Sequence, residues 1–134
     1  MPTQNKYQDV ALFALRIITA ATFLVAAYYK LSFWSGTPEG MTDGMANLMK
    51  FLSIVEALGA IALVIGYLTR LASLGLGIIM VGAIFIMQFV MKIGFVTQTG
   101  AGWNFPLVVL GCCLILMAFG PGKLSFDLRR GKEE

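Results

Sequence analysis

Apolar residues in this chain do not alternate with polar ones but gather in four long blocks, over about residues 9 to 31, 46 to 68, 70 to 92 and 103 to 119. Each block approaches the ~20 residues that carry a helix across ~30 Å of hydrocarbon. The pattern predicts one all-α domain over residues 1–134, a transmembrane four-helix bundle. Short polar stretches separate the blocks. SFWSGTPEGMTDG, residues 32 to 44, is a loop rich in turn formers, with Trp34 suited to a membrane interface. GYLTR, residues 66 to 70, leaves room only for an antiparallel hairpin between the second and third spans. After GFVTQTGAG, Asn104 is expected to cap the last helix, with Pro106 in its first turn.

The chain closes on FGPGKLSFDLRR, residues 119 to 130. Gly120 is suited to the left-handed conformation that ends a helix, and Pro121 resists continuation. Lys123, Arg129 and Arg130 then fall where anionic headgroups lie. No rule of local structure accounts for Ser125 and Asp127. The first block, from Val10 to Tyr29, exceeds a signal-peptide core, contains Arg16 and is followed by no small-residue cleavage site, so it reads as a permanent helix.

Composition agrees with this class. Hydrophobic residues make up 58% of the chain and charged residues 13%, against about 25% charged in ordinary soluble domains. Charge also suggests orientation. Lys6, Arg70, Lys123, Arg129, Arg130 and Lys132 fall on the side of both termini, and Lys30, Lys50 and Lys92 on the other, which predicts cytoplasmic termini. The net charge of +3 therefore points to lipid and not to nucleic acid.

The residue inventory narrows the chemistry further. With no histidine, the chain lacks His-ligated haem, His-based zinc and any Ser-His or Cys-His pair, and no metal site is expected. Cys112 and Cys113 are neighbours on an apolar helix, not a CxxC pair, and read as small packing residues. Ala62 with Gly66, Ser73 with Gly77, and Gly59, Gly75 and Gly82 are the small residues through which membrane helices approach closely. No phosphate-loop, dinucleotide or paired-carboxylate motif occurs, so no catalytic residue can be assigned and enzyme activity is not indicated.

The anomaly is charge inside the spans, where a central Arg or Asp costs ~2.5–3.5 kcal/mol on insertion scales. Arg16, Thr19, Ala20, Phe23, Ala27 and Lys30 share one helical stripe; Ser53, Glu56, Gly59 and Ala60 share another; Gln88 and Lys92 lie four apart on the third helix. Depths of ~12 Å for Arg16 and ~18 Å for Glu56 suggest an ion pair between them. Arg16, Lys30, Glu56 and Gln88 are thus the candidate polar cluster. It reads either as a structural ion pair with lysines snorkelling from span ends, or as a proton or ligand pocket around Glu56.

Four motifs then stand in order: Arg16 with Lys30-Leu31, Glu56-Ala-Leu-Gly59, Gly66-Tyr-Leu-Thr-Arg70, and Gly120-Pro-Gly-Lys-Leu-Ser-Phe-Asp127. Through them the chain resembles the DoxX family over roughly residues 9 to 130, although histidines that some relatives carry near the third helix are absent. The resemblance implies a small four-helix protein of the bacterial or archaeal inner membrane. Some relatives are described as subunits of thiosulfate:quinone oxidoreductase, others as membrane partners of oxidative-stress enzymes. It implies here an accessory or anchoring subunit of a redox or stress system, with quinone as the cofactor to consider and a soluble or membrane redox protein as the partner. Self-association into a homo-oligomer is compatible with it. The alternatives are a small-molecule or proton carrier using the Arg/Glu cluster and, third, a freestanding quinone-dependent enzyme.

Overall fold

The computed structural model describes residues 6–123. Helix α1 spans Lys6–Lys30 and runs into a 3-10 turn, Leu31–Ser35; α2 spans Asp43–Ile65; α3 spans Thr69–Phe85 and continues as a π-helical segment, Ile86–Val90. A short antiparallel hairpin, β1 (Val96–Thr97) and β2 (Gly100–Ala101), leads into α4, Asn104–Phe119. Three helical stretches, Lys6–Ser35, Asp43–Ile65 and Thr69–Val90, are long and apolar enough to cross a membrane. The fourth, with 16 residues, reaches only ~24 Å.

Local chemistry sets these boundaries. Thr42 starts α2, its hydroxyl accepting the Met45 N–H at 3.2 Å, and Gly66 ends it at φ 79°, its own N–H donating to the Ala62 carbonyl. Leu68, at φ 50°, adds a second left-handed residue to the same turn, which lets α3 reverse direction within three residues. Asn104 does not act as the expected cap. Trp103 occupies the position before α4, and the Asn104 carboxamide oxygen instead accepts the Gly102 N–H at 3.0 Å, tying back to the loop. Pro106 does fall in the first turn of α4, where a missing N–H costs nothing.

The helices pack chiefly as two pairs, α1 on α2 and α3 on α4, joined through α2 and α3. Ala20 and Phe23 of α1, Ala60 and Leu63 of α2, Leu76 of α3 and Leu116 of α4 are buried in one cluster. Gly59 lies where a Cβ would come within 3.0 Å of the Leu76 side chain, so its lack of a side chain sets the α2–α3 approach. Gly77 faces Cys113 at ordinary contact distance, 3.5 Å from a Cβ placed there, whereas Gly75 and Gly82 have nothing among the described residues within 4 Å of such a Cβ. The outer surface is apolar: Ile18, Leu58, Ile78 and Val108 are 63 to 66% exposed.

After α4 the chain folds back across the start of α1. A Cβ on Gly122 would sit 3.3 Å from that of Leu12, and one on Gly120 would sit 3.1 Å from the Arg70 guanidinium. The beginning of α1 and the end of α4 therefore share one end of the bundle. Ser125, Asp127, Arg129, Arg130 and Lys132 lie outside the described residues.

Candidate functional site

Arg16 is 1% exposed, yet it does not meet Glu56. Its Nε–H donates to the Leu63 carbonyl at 2.7 Å, one terminal nitrogen to Val64 at 3.2 Å, and the other to Pro121 at 2.8 Å, while the Phe13 ring lies 5.2 Å from the guanidinium carbon. The last carbonyls of a helix have no acceptor role within it and carry the negative end of its dipole. Arg16 thus satisfies the end of α2 and clamps the Gly120-Pro121-Gly122 segment with one planar group.

The expected Arg16–Glu56 pair is therefore corrected, and the reason lies in side-chain direction. Cα–Cβ bonds tilt toward a helix's N-terminus, so both long cations on the α1 stripe lean back along α1. Arg16 leans away from Glu56 toward the end of α2. Lys30, four turns further on, leans down onto Glu56, with Nζ 2.9 Å from Oε2. The Glu56 side chain is 1% exposed and that of Lys30 is 21% exposed, so the pair connects a buried carboxylate to the surface through one lysine.

Among the described residues Oε2 of Glu56 meets the Lys30 ammonium, and Oε1 has no hydrogen-bond partner. The Thr19 hydroxyl on the facing stripe is also buried, with no partner among the described residues. One turn from Glu56, Ser53 accepts the Trp34 indole N–H at 3.0 Å and donates to the Lys50 carbonyl at 2.6 Å. Trp34 therefore fastens the 3-10 turn to α2, with the Lys50 ammonium 5.7 Å from its ring.

Gln88 belongs to a different site. Gln88 lies within the π-helical segment, in which Met91 N–H donates to the Ile86 carbonyl at 2.9 Å and the helical period changes. Together with Lys92, four residues on, Gln88 lines a pocket of about 460 Å³ whose other walls are Phe89, Ile93, Gly94 and Trp103. Lys92 stands at φ 57°, a left-handed conformation that costs a non-glycine residue of order 1–2 kcal/mol. The Gly102 position holds this wall in place, since a Cβ there would run into the Gly94 and Phe95 carbonyls.

A third feature escaped sequence reasoning. Between α3 and α4 lies a groove of about 180 Å³, lined by Gly77, Ile78, Val81, Leu110, Cys113 and Met117 together with Ser73. The Ser73 hydroxyl is buried and has no hydrogen-bond partner among the described residues. An apolar cavity of about 150 Å³ accommodates a single six-membered ring. The groove is on that scale, and Ser73 is the polar residue in its otherwise apolar lining.

Asp9 was also missed. It is buried on the same α1 stripe as Leu12 and Arg16, and its Oδ1 accepts the Lys123 N–H at 3.2 Å. Its place two turns before Arg16 was the available signal. Cys112 and Cys113 are free thiols, and Cys113 packs against Gly77, as expected of small filler. Among the described residues no His, Cys, Asp and Glu group is arranged to hold a metal.

Three helices of membrane-crossing length, a shorter fourth and an apolar exterior define a multi-pass integral membrane protein. The DoxX family model matches residues 11–88, more than half of the chain. The chain belongs to the DoxX family. The match takes in Arg16, Lys30, Glu56, the GYLTR turn and Gln88, while the Gly120–Asp127 motif lies beyond it. No curated protein and no solved structure matches the chain.

Proposed function

We propose that this DoxX protein is an accessory or anchoring subunit of a redox or oxidative-stress system that contacts quinone at the α3–α4 groove, with both termini in the cytoplasm. A groove of ring size lined by Ser73, whose buried hydroxyl has no partner among the described residues, carries this reading. Quinones reside in the hydrocarbon phase, and the exposed Leu74, Ile78, Val81 and Leu114 along the groove are compatible with lateral entry from it. Ser73 would orient a carbonyl, Gly77 leaves space beside the ring, and Cys113 and Leu110 form the wall. Redox equivalents would be exchanged by the quinone itself with a partner protein. The use of Arg16 and Asp9 to hold the helix ends also supports a role in assembly over one in catalysis.

Mass spectrometry of the full chain purified in mild detergent tests this reading. Quinone and a redox protein should co-purify with the wild type, and Ser73→Ala should lower the quinone while leaving the partner. A wild-type preparation free of both would refute the proposal.

The carrier reading retains one specific support, the buried Glu56 carboxylate paired through Oε2 with a partly exposed Lys30. In liposomes this reading requires a proton or solute flux that Glu56→Gln abolishes. Equal flux with the two proteins would exclude it.

A further inference from the structure

The pocket beyond the end of α3 has a lining of unusual composition. Gln88, Lys92 and Trp103 each bring a hydrogen-bond donor to it, no acidic residue lines it, and Phe89 and Ile93 supply an apolar wall. Within the described residues Lys92 makes no ion pair, and neither the Gln88 carboxamide nor the Trp103 indole N–H donates to another group. Trp103 is held in place by edge-on contact with Phe95, ring centroids 4.7 Å apart.

The backbone adds an independent observation. The Ile93 N–H closes on the Met87 carbonyl at 2.7 Å, a helix-ending bond, and the left-handed residue just before it is Lys92. Glycine is the residue that such a position ordinarily favours. A lysine there is explained by its side chain, which the strained backbone holds at the rim of the pocket. The position is where a span meets the interface, at the end of the bundle opposite Asp9 and Lys123.

We propose that this pocket binds the anionic headgroup of a membrane phospholipid, its phosphate received by Lys92 and Gln88 and its acyl chains lying along Phe89 and Ile93. Charge complementarity, apolar wall and interfacial depth together select an anionic amphiphile over a zwitterionic one. This site is separate from the α3–α4 groove, and the proposal does not depend on quinone binding.

Native mass spectrometry of the full chain in mild detergent, given equal amounts of phosphatidylglycerol and phosphatidylcholine with the same acyl chains, tests it. Wild type should favour phosphatidylglycerol by about fivefold, the effect of one basic residue at an anionic surface. Lys92→Arg should keep that preference and Lys92→Gly should remove it, while Lys50→Gln, which loses a charge at the same end of the bundle, should leave it. Lys92→Gly should also melt no lower than wild type in lipid-free detergent, because glycine relieves the left-handed backbone; a lower melting temperature would overturn the argument from strain. Equal loss of preference in Lys50→Gln would mean that only net charge matters and would overturn the site. Displacement of the phospholipid by inorganic phosphate would overturn the lipid in favour of a soluble anion.

Discussion

Arg16 shows how backbone carbonyls accommodate a buried charge. Three carbonyls receive it, two from the last turn of α2 and one from Pro121. These bonds depend on a planar fork, which lysine lacks. Arg16→Lys keeps the charge but loses at least one of the three contacts, so it should destabilise the protein by about 2–4 kcal/mol, measured by unfolding in detergent micelles. An unaltered unfolding profile would mean that charge alone matters at this position. Much of the residue-level picture was legible in the sequence: Arg16, Thr19, Ala20, Phe23 and Ala27, read as one inward stripe, are all buried, as are Ser53, Glu56 and Ala60 facing them. What was not legible was the partner of each charge. Span depths locate Cα atoms to within a turn, whereas a long side chain shifts its charge by a similar distance in a direction that depth alone does not include.

Among the elements, α2 and α3 meet where glycine permits it. Gly59→Ala would press a methyl against Leu76 and should cost about 1–3 kcal/mol. Gly75→Ala, on the same hairpin but facing open space, should be neutral or stabilising by up to about 1 kcal/mol, since alanine is the better helix former. Thermal unfolding of the two variants side by side checks this, and an equal loss in both would mean that Gly59 is not a contact point. The sequence marked both glycines alike, because spacing identifies small residues but not which neighbour they face. Helix order and number were readable from the apolar blocks. The conversion of α3 into a π-helical segment at Ile86–Val90 was not, as nothing in IMQFV departs from an ordinary helical pattern. Gln88 stays with Lys92, the neighbour four residues on, but the two line a pocket at the end of the bundle and not the cluster around Glu56.

Across the whole molecule, the polar groups fall into separate sites with different tasks. At one end Arg16 and Asp9 fasten the chain after α4 to α1 and α2. Midway, Lys30 neutralises Glu56. At the other end Gln88 and Lys92 line the pocket beside Trp103, and between α3 and α4 Ser73 faces an apolar groove. The Gly120-Pro121-Gly122 segment, readable in the sequence as a helix stop, is in the fold a latch across α1; the long-range contact with Arg16 is what sequence spacing could not convey. Breaking a buried pair costs most when the stranded charge cannot reach water. Lys30→Met leaves Glu56 sealed and should cost about 3–5 kcal/mol. Glu56→Gln strands only a lysine able to reach the surface and should cost less.

The most direct measurement of this division is a pair of double-mutant cycles in detergent, one between Lys30 and Glu56 and one between Arg16 and Glu56, using Lys30→Met, Glu56→Gln and Arg16→Lys. The structure predicts a coupling above about 1 kcal/mol for Lys30 with Glu56 and additivity within about 0.5 kcal/mol for Arg16 with Glu56. A coupling of Arg16 to Glu56 as large as that of Lys30 would contradict it, and would return the two residues to a single intramembrane cluster.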